Sequence, residues 1–342
     1  MVDRVRSIGD GVAWRVLDYD RVNLRLLSEH QPISVPQVDS GLRTELEELL
    51  RLGEEGGRII LNSITNCLRV GDLTVYRPDT GEVRVVEVKS GGKTTARTRR
   101  QGDYSLLVQE ALKSDIHPMG DIHLQRIIAK KPQRTYVFSL ERAILKAEDK
   151  GTATRRFGDY LSIGVFDLGQ IISHVAKERW PQSWAPVLDG LLSVKARKSD
   201  FVTPMMDNIS VIGTFSPNVA PYAIFPMERR LRFGLLTGEF FVMTLLNVSE
   251  FARWLEKRGW ETEILTAAAD PPQPDGTPDH VPVLRVTKGP RSVEVGMAIF
   301  LAAAIELNMP ETIESVIEAT INREPDGYVQ VGFPNTGKYA WD

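Results

Sequence analysis

Residues 71–104, GDLTVYRPDTGEVRVVEVKSGGKTTARTRRQGDY, constrain the fold more than any other part of the chain. Residues 73–77 and 83–88 are β-branched and aromatic runs, and Pro78-Asp79-Thr80-Gly81 between them is turn chemistry. The stretch therefore reads as strand, turn, strand, then a glycine break and a helix rich in basic residues. Side chains alternate across a strand, so Glu87 and Lys89 share one face while Val86 and Val88 take the other. Asp72 stands at the start of the partner strand, where a hairpin brings it beside Glu87. Two carboxylates and a lysine at one spot suit a divalent cation, with an ammonium set over an anionic substrate.

The pattern Asp72, spacer, Glu87-Val88-Lys89 resembles the signature of the PD-(D/E)XK nuclease superfamily, an acidic residue followed on the next strand by Asp/Glu-x-Lys. Gly71 stands where that pattern has proline, and the likeness covers residues 40–105. A second Glu-x-Lys, Glu148-Asp149-Lys150, lies in a polar stretch before Gly151 with no strand around it and is set aside. The resemblance implies an α/β fold with a restriction-endonuclease-like three-layer core around a central mixed sheet. It implies a metal-dependent hydrolase of phosphodiester bonds in DNA, an endonuclease of restriction, phage defence or repair. Asp72 and Glu87, with the Val88 carbonyl, would then ligate Mg²⁺ or Mn²⁺, and Lys89 would position or help deprotonate the attacking water. The spacing of residues 41–45 resembles the first helix of Mrr-like restriction endonucleases, which gives Glu45 a place at the metal. Glu45, Glu47 and Glu48 read equally as solvated acids that favour a helix start.

Around this centre, residues 41–50 form an amphipathic helix with Leu42, Leu46, Leu49 and Leu50 on one stripe, Ser40 as its cap and Gly53 as its stop. On the helix of residues 94–113, Lys93, Arg97, Arg100, Gln101 and Tyr104 fall on a single face. Cations in a first turn oppose the helix dipole, so their presence points to an incoming phosphate backbone. Lys93, Arg97, Arg100 and Gln101 are thus the expected nucleic-acid contacts. Residues 122–129, 135–139 and 160–168 read as further strands and 140–150 as a helix ended by Gly151. Three parts result: a strand-containing preface at 1–36, the nuclease-like domain at 37–170, and a C-terminal α+β domain at 171–342. The last is the expected surface for target selection, a protein partner or a homo-oligomer contact. Within it, 249–258 reads as a helix capped by Ser249, 293–308 as a second and 312–321 as a third, and Arg229, Arg230 and Arg232 near Phe225 and Phe233 read as a solvated strand edge, with binding of nucleic acid through charge and stacking as the alternative.

Composition bounds these readings. The 342 residues carry a net charge of −3, so binding of nucleic acid must rest on local patches, not on a global field. The single cysteine, Cys67, excludes an internal disulfide framework and a cysteine-based zinc site, which fits a reducing cytoplasm. The N-terminus has no apolar signal core, and the longest apolar run, 295–305, is too short for a bilayer, so no membrane partner is expected. The five histidines fall at no metal-ligand spacing. Two other readings stay open. The nuclease-like core can be inactive, a nucleic-acid-binding or scaffold subunit of a larger complex. Alternatively Gly91-Gly92-Lys93-Thr94 serves a nucleotide-binding enzyme, although Glu87 stands where a phosphate loop needs its first glycine.

Overall fold

The computed structural model describes residues 2–28, 40–88, 105–114, 116–119, 122–175, 202–207, 222–265, 282–323 and 328–332. Its architecture is mixed α/β, and the described strands divide among separate three- and four-stranded sheets. Contacts within the chain part it into two units, Met1–Ile128, Ser210–Ile224 and Pro325–Gly337 in the first and Ala129–Ile209, Phe225–Glu324 and Lys338–Asp342 in the second.

The first unit opens on helices, where the apolar runs at 12–17 and 22–27 suggest short strands. Alternation over a few residues does not separate a strand from one face of a helix. In α1 (Val2–Val16) the buried side chains of Asp10, Ala13 and Trp14, with Leu17 just beyond its end, recur at helical spacing. Gly9 sets how closely α1 lies on its neighbour, since a Cβ there would stand 2.1 Å from the Ile64 carbonyl oxygen. Asp20 begins α2 (Arg21–Leu27), its Oδ1 accepting from the backbone N–H groups of Val22 at 3.0 Å and Asn23 at 3.1 Å. Such a cap is worth about 1 kcal/mol.

Next, α3 (Ser40–Glu54) covers an antiparallel meander of β1 (Arg58–Leu61), β2 (Leu73–Arg77) and β3 (Glu82–Val86). Leu52, Leu61, Leu73 and Val75 form the buried cluster between them, joined by Leu42, Leu49, Val86 and Val88. Each fully buried side chain of this kind contributes roughly 1.5–3 kcal/mol. The apolar stripe of α3 is therefore Leu42, Leu49 and Leu52. Leu46 and Leu50, expected on it, are 44% and 67% exposed, because one turn in 3.6 residues carries them round to the outer face. Turn residues 78–81 join β2 to β3 as the sequence indicates. Helical residues 105–111 follow, with Ala111 packed on Val22 and Leu26 of α2. A second sheet joins β4 (Ile116–Met119) antiparallel to β5 (Ile122–Ile128), and the strand Tyr328–Gly332 parallel to β5.

In the second unit α4 (Val137–Lys150) packs on β6 (Thr152–Phe157) and β7 (Leu161–Asp167). Residues 135–139 are not a strand: Thr135 makes one bridge to Asn308, and the helix begins at Val137. The aromatic and β-branched run there looks strand-like, but Val137, Leu140 and Ile144 are buried at helical spacing. β7 does not extend the sheet of the hairpin. It lies between β6 and β9 (Phe240–Asn247) in a four-stranded antiparallel sheet that β8 (Val202–Asp207) completes, and all its residues are buried. Residues 129–170 thus pack with C-terminal elements.

Arg229, Arg230 and Arg232 lie on a helix, α5 (Arg229–Thr237), and not on a strand edge; Arg230 forms a two-nitrogen fork on the Glu148 carboxylate. Asn247, not Ser249, caps α6 (Val248–Glu256), accepting from the Glu250 N–H at 3.0 Å. A further sheet orders β10 (Glu261–Ile264), β11 (Pro282–Lys288) and β12 (Arg291–Gly296). Val293 and Val295, read as helical, belong to β12, and the helix α7 (Met297–Ile305) begins after Gly296. The last helix is α8 (Pro310–Ile321). Among the described residues no helix is long and apolar enough to cross a membrane.

Candidate metal centre

The approach to Asp72 is built from buried polar groups. Asn62, 4% exposed, donates from Nδ2 to the carbonyls of Val70 at 2.8 Å and Gly71 at 3.2 Å, and its Oδ1 accepts from the Thr74 hydroxyl at 2.9 Å. Its backbone N–H donates to the Asp72 carbonyl at 2.9 Å. One side chain thus holds the chain on both sides of Asp72. The loop before it is held to α1 by Asp10, whose Oδ1 accepts from the backbone N–H groups of Asn66 at 2.6 Å and Cys67 at 2.9 Å. Asp10 Oδ2 accepts from Asn66 Nδ2 at 3.0 Å. Burial raises the Asp10 carboxyl above its ordinary value, and these hydrogen bonds oppose the rise. Cys67 is a buried, packed side chain, and burial pushes its thiol well up, with Asp10 adding to the effect.

Gly71 enters β2 with φ +73, and a Cβ there would lie 2.3 Å from Val85 Cγ1. Proline, with φ locked near −65°, cannot take this path.

Asp72 and Glu87 lie on one face of the hairpin. Leu73 and Val75 on β2, and Val86 and Val88 on the facing chain, all turn toward α3. Alternation puts Asp72 and Glu87 on the opposite face, with Thr74, Tyr76, Val83 and Val85. The ladder ends at Leu73 opposite Val86, so the second strand stops short of the expected 88, and Asp72 and Glu87 are the residues just beyond each strand. Asp72 donates its N–H to the Val86 carbonyl at 3.0 Å, and its Oδ2 accepts from the Val88 N–H at 2.7 Å. The carboxylate so continues the hydrogen bonding where the ladder stops. Burial raises the Asp72 carboxyl above its ordinary value, opposed in part by the Val88 bond. Glu87 is half-buried, and its Oε1 accepts from the Ser105 hydroxyl at 3.0 Å.

Glu45 is half-buried and falls in the same helical stripe as Leu42, Leu49 and Leu52, so it addresses the α3 side of the sheet. Among the described residues no group of three or more His, Cys, Asp and Glu side chains is arranged to hold a metal ion. The carboxylates at the hairpin end are those of Asp72 and Glu87. That set fits Mg²⁺ better than a transition metal, because Mg²⁺ takes one or two carboxylates and keeps several waters. Lys89, Lys93, Arg97, Arg100 and Gln101 lie outside the described residues, as does the Gly91–Thr94 segment of the nucleotide-binding reading.

Ser105, Asn62 and Asp10 are contributors that sequence reasoning did not single out. Asn62 carried a signal, a polar residue interrupting an apolar stretch before Asp72. Ser105 and Asp10 carried none, since their partners lie 18 and 56–57 residues away. Comparison of the chain with protein-family models, with curated proteins and with solved structures finds no significant match in any of the three.

Proposed function

We propose that this chain is a cytoplasmic, metal-dependent nuclease that hydrolyses phosphodiester bonds in DNA, with a restriction-endonuclease-like core and a defence or repair setting. The observation that carries the reading is the pair Asp72 and Glu87, on one face at the end of an antiparallel hairpin, each carboxylate oriented by a hydrogen bond. The chain order of α3, β1, β2, β3 and a following helical segment supports the same core. Asp72 and Glu87 hold the cation, with Val88 supplying a carbonyl. A divalent cation held there offsets phosphate charge and makes a bound water more acidic. Lys89 sets positive charge against the charge that builds on the phosphate in the transition state. Lys93, Arg97, Arg100 and Gln101 hold the backbone of the nucleic acid.

One specific observation favours a second reading, an inactive nuclease-like scaffold. The Asp72 carboxylate already has a structural task, closing the end of the ladder on the Val88 N–H. Incubation with plasmid, linear and single-stranded DNA and with RNA, in Mg²⁺, Mn²⁺ or EDTA, separates the two. Metal-dependent cleavage that Asp72→Asn abolishes supports the nuclease. Full activity in Asp72→Asn on the same substrate refutes the assignment, and metal binding without cleavage favours the scaffold.

A further inference from the structure

The helical residues 105–111 turn an unusual set of side chains inward. Ser105, Val108 and Ala111 are buried at 7%, 3% and 8% exposure, while Leu106 and Leu107 are 64% and 51% exposed. Residues three apart share a helix face, so these buried residues form the inner stripe. Ala111 anchors that stripe on Val22 and Leu26 of α2. Its other end is a hydroxyl, at a position where an apolar side chain would pack, while two leucines next to it face outward. The Ser105 Oγ donates to Glu87 Oε1 at 3.0 Å, across 18 residues of chain.

We propose that Ser105 is a positioning residue: its hydroxyl fixes the orientation of the Glu87 carboxylate as a ligand to a divalent cation. This rests on the reading that Asp72 and Glu87 bind the metal. The physical reason is rotamer freedom. A glutamate carries three side-chain torsions, and a half-buried one at the end of a strand samples several of them unless something holds it. Asp72 has the Val88 N–H for this purpose, a backbone donor within the same hairpin. Glu87 accepts from a hydroxyl on a separate element, so the geometry of the carboxylate pair also depends on how the helical segment docks. Removing a partner of this kind, bonded to a ligand and not to the metal, typically weakens metal affinity by about 10–100-fold.

The test is Mn²⁺ binding by the full chain, measured by titration calorimetry with Mn²⁺ alone as the probe, beside a thermal melt of each variant. Ser105→Ala removes the donor. Ser105→Cys keeps the side-chain volume and leaves only a weak S–H donor, so it serves if Ser105→Ala does not fold. Ser105→Thr keeps the hydroxyl. Asp72→Asn and Glu87→Gln report on the metal site itself. The expected result is Mn²⁺ binding in the wild type that Asp72→Asn and Glu87→Gln abolish. Binding should weaken about 10–100-fold in Ser105→Ala and Ser105→Cys and recover in Ser105→Thr. Wild-type affinity in Ser105→Ala or Ser105→Cys, with Asp72→Asn still abolishing binding, overturns the positioning role and leaves the metal site standing. Equal weakening in Ala, Cys and Thr variants that tracks their melting temperatures also overturns it, since packing then explains the loss. Absent wild-type binding, or binding insensitive to Asp72→Asn and Glu87→Gln, overturns the metal reading and this inference with it.

Discussion

Gly71→Ala tests whether the route of the chain into Asp72 is as tight as the structure describes. Gly71 has φ +73, and an added Cβ would stand 2.3 Å from Val85 Cγ1 and 3.1 Å from the Val86 carbonyl oxygen. The left-handed backbone alone costs an alanine about 1–2 kcal/mol. Forcing a methyl against the buried, β-branched Val85 adds about 1–3 kcal/mol, the usual range for overpacking. The sum is roughly 2–5 kcal/mol. Gly81→Ala is the matched control, because Gly81 has φ +69 and open space around its Cβ position. It carries only the first contribution, about 1–2 kcal/mol. With two units in the chain, a single global unfolding free energy is not well defined. Hydrogen exchange followed by mass spectrometry on peptides spanning residues 58–88 reads the hairpin directly. A loss of about 2 kcal/mol in opening free energy corresponds to roughly 30-fold faster exchange. Gly71→Ala is expected to speed exchange in these peptides more than Gly81→Ala does. Equal effects from the two substitutions would refute the close approach of Val85.

Two further predictions concern the charges at the site. Asp72 has its folded value raised by burial, so its ionised form destabilises the metal-free protein; that deficit is absent below the ordinary carboxylate range and develops as pH rises through the raised value. In EDTA, Asp72→Asn should therefore melt near the wild type at about pH 3 and above it at about pH 8, and melting curves that stay parallel across that range would refute the burial account. A Lys93→Ala, Arg97→Ala, Arg100→Ala variant should bind DNA more weakly at low salt. Its slope of log affinity against log salt should be shallower by about 0.9 for each charge removed; superimposable slopes would mean that these cations do not touch the backbone.

What the sequence by itself determined is local. The period-two runs around Pro78-Asp79-Thr80-Gly81 specified β2, β3 and their turn, and alternation put Val86 and Val88 against the core and Glu87 on the other face. These features were legible because a hairpin's register and facing follow from neighbouring residues. A helix at 41–50 was legible for the same reason, but its ends were not, since Ser40–Glu54 takes in the expected cap and stop, and neither was its buried stripe, since Leu46 and Leu50 satisfy the period as well as Leu52 and only the sheet beneath chooses between them. Tertiary structure alone decided the rest. It made α1 a helix by burying it on Ile64, and it assigned β7 to a four-stranded sheet with β6, β8 and β9. It brought a strand from residues 328–332 parallel to β5. It also tied Asp10 to Asn66 and Cys67, and Ser105 to Glu87. Hydrogen bonds between groups this far apart in the chain form only once packing has overcome the entropy of bringing them together, so no local pattern of residues encodes them.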